Sequence, residues 1–78
     1  DLAGKMVVYF KEFVRTKYSL DVSFMNEGFS NALSFKSGLN ISEIQALVDQ
    51  VVRIETGYPL GEQELLSFNQ QLERLYKN

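Results

Sequence analysis

Tyr18-Ser19-Leu20-Asp21-Val22-Ser23-Phe24-Met25-Asn26-Glu27-Gly28-Phe29-Ser30-Asn31-Ala32-Leu33-Ser34-Phe35-Lys36 is the stretch whose reading decides the fold. Two hydrophobic periods compete in it. Val22, Met25, Phe29 and Ala32 have the 3-4-3 spacing of a helical seam. Against that, Tyr18, Leu20, Val22 and Phe24 alternate with Ser19, Asp21 and Ser23, and Phe29, Asn31, Leu33 and Phe35 alternate with Ser30, Ala32, Ser34 and Lys36. Alternation is the period of a half-buried strand. With Met25 to Gly28 as the turn, Phe24 pairs with Phe29, Leu20 with Leu33 and Tyr18 with Phe35, which leaves one face almost wholly apolar. A helix would place Gly28 in its interior at about 1 kcal/mol relative to Ala. The alternation therefore predicts a two-stranded antiparallel hairpin, residues 18–24 and 29–36, with an all-helical four-helix bundle as the alternative.

The flanking segments read as helices. Ala3, Met6, Val7, Phe10, Phe13 and Val14 form an apolar stripe that predicts a helix over 2–17, with Arg15 and Lys17 at the negative end of its dipole. Asn40 with Glu43 three residues on is a capping-box pattern, and Leu39 and Ile44 stand where a hydrophobic staple would. Ile44, Leu47, Val48, Val51 and Ile54 continue a helix over 41–56, and Thr56-Gly57 stops it. A last helix, 62–77, carries Leu65, Phe68, Leu72, Leu75 and Tyr76 on one side. The predicted architecture is α-β-β-α-α: a small single α+β domain over 1–78, its hairpin covered by three helices.

Composition narrows the chemistry. The 78 residues include no Cys, His or Trp, so thiolate nucleophiles, disulfides, Cys or His metal sites and the usual general base are absent. There is no Gly-rich phosphate loop, no Asp-rich calcium loop and no Ser in a strand-to-helix elbow. Glu43, Glu55, Glu62, Glu64 and Glu73 read as helix-start and surface charges. No enzymatic activity, metal or cofactor is expected. Five Lys or Arg against four carboxylates give residues 1–39 a charge of +1, and three against six give residues 40–78 a charge of −3. Neither value resembles a nucleic-acid footprint, although Lys5, Lys11, Lys17 and Lys36 define the side where a weak one would lie. The longest apolar run, Met6 to Phe10, is five residues, too short for a membrane span, and a cytoplasmic location is expected.

Two short patterns resemble known families. Ser23-Phe24-Met25-Asn26-Glu27-Gly28 is similar to the Ser-x-x-x-Glu-Gly motif of the antitoxins that inhibit Fic-domain AMP-transferases, in which the motif lies on a helix and its Glu enters the transferase site. Residues 41–77 resemble the two-helix aspartyl-phosphate phosphatases of sporulation control. That family carries Ser-Gln-Glu-Leu-Asp where this chain has Asn69-Gln70-Gln71-Leu72-Glu73, so Gln70 and Leu72 match and Glu73 replaces Asp. The resemblance implies a regulator of response-regulator phosphoaspartate with Gln70 and Glu73 as its polar residues. Neither pattern assigns the chain to a family.

What the expected core leaves over is surface. Val8 falls on the charged side of the first helix and Tyr9 at its edge, Leu66 lies among charges on the last helix, and Ile41, Val48 and Val52 widen the apolar face of 41–56 to about 160°. Val8, Tyr9, Val48, Val52 and Leu66 are the candidate protein contacts. The expected function is a small protein-interaction module, a regulator, inhibitor, immunity-type protein or subunit, whose partner is another protein. Self-association through the hairpin or the last two helices is a further expectation.

Overall fold

The computed structural model describes residues 1–78 and is built of four helices: α1 Leu2–Tyr18, α2 Glu27–Ser37, α3 Ile41–Glu55 and α4 Glu62–Tyr76. There is no strand. The α+β hairpin expected at 18–24 and 29–36 is therefore wrong, and the all-helical alternative describes the molecule. The three other helices lie within a residue of their expected limits.

Residues 27–37 become helix because both ends are punctuated and a helical seam exists between them. The Asn26 carboxamide oxygen accepts the Phe29 backbone N–H at 3.0 Å, and Gly38 takes a left-handed φ of 80° that ends the helix. Between them Phe29, Leu33 and Ser37 point inward one turn apart, joined by Ser30. The decisive pair is Leu33 and Phe35, which the strand period puts on one face. Leu33 is fully buried and Phe35 is 90% exposed. Gly28 is the second residue of α2, near its end, where its cost to a helix is small.

The alternation in 18–24 has a different fate. Tyr18 is the last buried residue of α1, and Ser19 turns the chain with a left-handed φ of 55°. Beyond it, Leu20 and Val22 are half-buried while Ser19, Asp21 and Ser23 are exposed. From Ser19 to Ser23 the connector packs by alternate residues without a ladder partner, and the alternation ends at Phe24, which is exposed, and Met25, which is half-buried. The Asp21 carboxylate accepts the Ser23 N–H at 2.9 Å, which holds its pKa below the ordinary carboxylate value.

Named contacts fix the direction of each helix. Arg53 pairs with Glu64 at 3.7 Å and Arg74 with Glu43 at 2.7 Å, so α3 runs antiparallel to α4. Lys11 pairs with Glu55, Ala3 lines one pocket with Ile54 and Leu65, and Lys17 reaches Asn78, so α1 runs with α4 and against α3. Residues 38–40 join the end of α2 to the start of α3, and Asn26 at the start of α2 lines a groove with Val52 and Glu55 near the end of α3, so these two helices are antiparallel as well. Consequently α1, α2 and α4 point the same way, and their C-terminal ends meet. There Lys36 Nζ donates to the Tyr18 carbonyl at 2.9 Å, Lys17 Nζ to the Asn78 carbonyl at 3.4 Å, and the Asn78 amide to the Ser37 carbonyl. Cationic and amide donors thus satisfy carbonyls at the negative dipole ends of α1 and α2, and Lys17 holds the chain just beyond α4. Because α1 and α2 are parallel, residues 19–26 must run back along the bundle, which is why Leu20, Val22 and Met25 pack on the core.

The core itself is one cluster of 13 buried residues drawn from all four helices, with Phe10, Phe68, Leu33, Ile44, Leu47 and Leu75 at its centre. α3 packs against each of the other three helices. That accounts for its wide apolar face, and Val48, 7% exposed, is spent inside the fold. At its start, the expected capping box is not formed. Asn40 accepts from the Ser42 N–H at 2.9 Å, and Glu43 pairs with Arg74 instead of turning back to the cap. The reciprocal half of such a box appears at α4, where the Glu64 carboxylate accepts the Gly61 N–H at 3.0 Å.

Candidate protein-contact surfaces

The α2 flank presents the largest exposed aromatic surface. Phe24, at the end of the connector, is 74% exposed, and Phe35 stands on the outward pole of α2. Phe24, Val22 and Met25 form one wall of an open groove of about 450 Å³ whose other side is Val52 on α3. The Lys11–Glu55 ion pair lines it as well. Val52 is 41% exposed there, so of the two α3 candidates only Val52 is open to a partner. Chemically the groove can accept an apolar side chain, with a donor and an acceptor on its rim. Phe24 and Phe35 escaped the sequence reading because the hairpin put both on its covered face. The sign that could have found Phe35 is its place two residues from Leu33, on the far side of the 29-33-37 seam.

A second surface lies along α1. Val8 and Tyr9 are 63% and 61% exposed, flanked by Asp1, Lys5 and Glu12. Tyr9 leans toward α4, where its ring meets the edge of Tyr76 at 5.3 Å, and Phe13 meets the same ring at 4.6 Å. Burial pushes the Tyr76 hydroxyl up to about 12, with Tyr9 adding repulsion between ionised phenols. The buried hydroxyls of Tyr76 and Tyr18 have no hydrogen-bond partner. Leu66 is exposed on the outward face of α4, on a different helix from Val8 and Tyr9.

Gln70 and Glu73 lie one turn apart on that outward face of α4, both exposed. Glu73 is engaged by Lys77 at 3.3 Å and faces the Asn69 amide at 3.4 Å. The Fic-type pattern is split by the fold, because Ser23 to Asn26 precede α2 and only Glu27 and Gly28 belong to it. The four lysines do not form one side: Lys11 pairs with Glu55, Lys17 and Lys36 hold helix-end carbonyls, and Lys5 lies on the outer face of α1. Between α3 and α4 a cleft of about 250 Å³ is lined by Leu39, Ile44, Leu47 and Gln71 and edged by the Glu43–Arg74 pair. No helix is long and apolar enough to cross a membrane.

Three parallel helices around one antiparallel helix, with aromatic side chains left outside the core, define a small all-helical domain whose distinctive chemistry is on its surface. The chain belongs to the family described as the DUF4350 C-terminal helical domain, which matches residues 1–78. No curated protein and no solved structure matches it.

Proposed function

We propose that the domain works by protein contact, as a non-enzymatic regulator, inhibitor, immunity-type protein or subunit that uses its α2 flank. The observation that carries this reading is the exposure of two aromatic side chains, Phe24 at 74% on the wall of the Val52 groove and Phe35 at 90% on the outer face of α2. Burying one Phe side chain stabilises a contact by about 1.5–3 kcal/mol, so two that the fold leaves in water are a source of binding energy. The family's description as a C-terminal helical domain fits a module carried by a longer protein.

The test is capture of partners from the source lysate by the wild-type domain and by a Phe24→Ser, Phe35→Ser variant with an unchanged circular dichroism spectrum. A protein held by the wild type and released by the variant supports the reading and places the contact. Retention that is the same for both proteins, or absent from both, sinks it.

A further inference from the structure

We infer that the outer face of α1 is a pairing surface for a second copy of this chain, with the two α1 helices antiparallel and crossing at Val8 and Tyr9. This rests on the α1 face alone and is independent of the α2 flank.

The face consists of Asp1, Lys5, Val8, Tyr9, Glu12 and Arg15, all exposed. Residues 1, 5, 8, 12 and 15 follow the 4-3-4-3 spacing of a helix seam, so they share one side of the helix. Along that side Lys5 precedes the apolar pair and Glu12 follows it. Reversing the helix exchanges these two positions and so their signs. An antiparallel copy crossing between residues 8 and 9 therefore sets Lys5 against Glu12 of the second copy and Glu12 against its Lys5. Val8 covers Tyr9 at the crossing point. A parallel copy would set like charge on like charge. The surface is thus complementary to its own reverse, as a two-fold isologous contact requires.

Occupancy of these charges within one chain leaves the pairing open. Lys5 takes part in none of the intramolecular ion pairs, and Glu12 uses a single oxygen, Oε1, for Arg15. A 17-residue helix is about 25 Å long. One face of that length falls short of the roughly 800 Å² per partner of a standard stable interface, so the dimer exchanges with monomer.

The experiment is sedimentation equilibrium of the whole chain between about 10 µM and 1 mM, a range spanning weak association. It is run on the wild type, on Lys5→Glu, on Glu12→Lys, and on an equimolar mixture of the two variants. Circular dichroism first establishes that both variants keep the wild-type helix content. Wild type is expected to move from monomer to dimer across the range. Each variant alone faces two like-charge pairs and is expected to weaken association by about tenfold or more. In the mixture every cross-pair is again opposite in sign, and association returns. A wild type that stays monomeric throughout overturns the proposal, as does dimerisation that either single variant leaves unchanged. Loss in the single variants without recovery in the mixture overturns the antiparallel arrangement.

Discussion

α2 and α3 carry the same punctuation around different interiors. Each begins at an Asn whose side chain caps a backbone N–H, Asn26 for α2 and Asn40 for α3. Each is followed by a glycine with left-handed φ, 80° at Gly38 and 84° at Gly57. Inside α3 the buried positions are Ile44, Leu47, Val48 and Val51; inside α2 they are Phe29, Ser30, Leu33 and Ser37. Two serines stand where α3 has aliphatic side chains. With 11 residues, α2 is also below the length at which a helix holds itself together in water. It persists because its ends are capped and Phe29 and Leu33 are packed, whereas α3 has an apolar stripe that spells out its conformation. A helix can be specified by its ends and two anchors.

The largest effect that could break this comparison comes from the anchors. Leu33→Ala removes a fully buried side chain and is expected to cost about 2–5 kcal/mol, as much as Leu47→Ala in α3. Phe35→Ser, two residues away, should change stability by no more than about 0.5 kcal/mol. Urea unfolding of the three variants checks both statements. Comparable losses at residues 33 and 35 would mean that the two side chains share a face, and α2 would not exist as described.

The ends come next. Asn26→Ala and Asn40→Ala are each expected to cost about 1 kcal/mol. Gly38→Ala should cost a similar amount, about 1–2 kcal/mol, from the left-handed backbone alone. An added Cβ there meets only the Asn78 amide at 3.5 Å, an ordinary contact. Where the two helices should differ is in amide exchange: loss of the Asn26 cap is expected to speed exchange through much of α2, while loss of the Asn40 cap stays within the first turn of α3. Equal local effects would show that α2 is as self-sufficient as α3.

This contrast also explains what could be read in advance. α1, α3 and α4 were legible because their buried residues are apolar at helical spacing, so composition and position agree. Around α2 they disagree. Ser30 and Ser37 are buried, Phe35 is not, and the resulting sequence happens to alternate. The alternation of Leu20 and Val22 did report packing, because the connector runs over the core, but a period of two cannot tell a laddered strand from an unpaired return segment. Of the candidate contacts, Val8, Tyr9, Val52 and Leu66 are exposed and Val48 is core. Val8 and Tyr9 were visible because α1 was placed correctly. Phe24 and Phe35 depended on the one segment whose period misled.

The smallest expected effect concerns buried hydroxyls, where the regions exchange roles. In the irregular-looking α2 region, the Ser37 hydroxyl accepts the Leu39 N–H at 3.2 Å. In the regular-looking α4, the ring of Tyr76 packs against those of Tyr9 and Phe13, and its hydroxyl is buried without a partner. A partnerless buried polar group costs more than the apolar group that could replace it. Tyr76→Phe is therefore expected to leave stability at neutral pH unchanged or to raise it by up to about 1 kcal/mol. The sign at high pH follows from the shift to about 12, above the ordinary value of 10.0. Between those two values the unfolded chain ionises this phenol and the folded chain does not, so the unfolded state binds fewer protons and stability falls with rising pH. The Phe variant lacks that loss. Its advantage over wild type, measured by urea unfolding at a series of pH values, should be constant below about pH 10 and grow toward pH 12. An advantage independent of pH across that window would mean that the hydroxyl is solvated in the folded state, and the contrast with Ser37 would disappear.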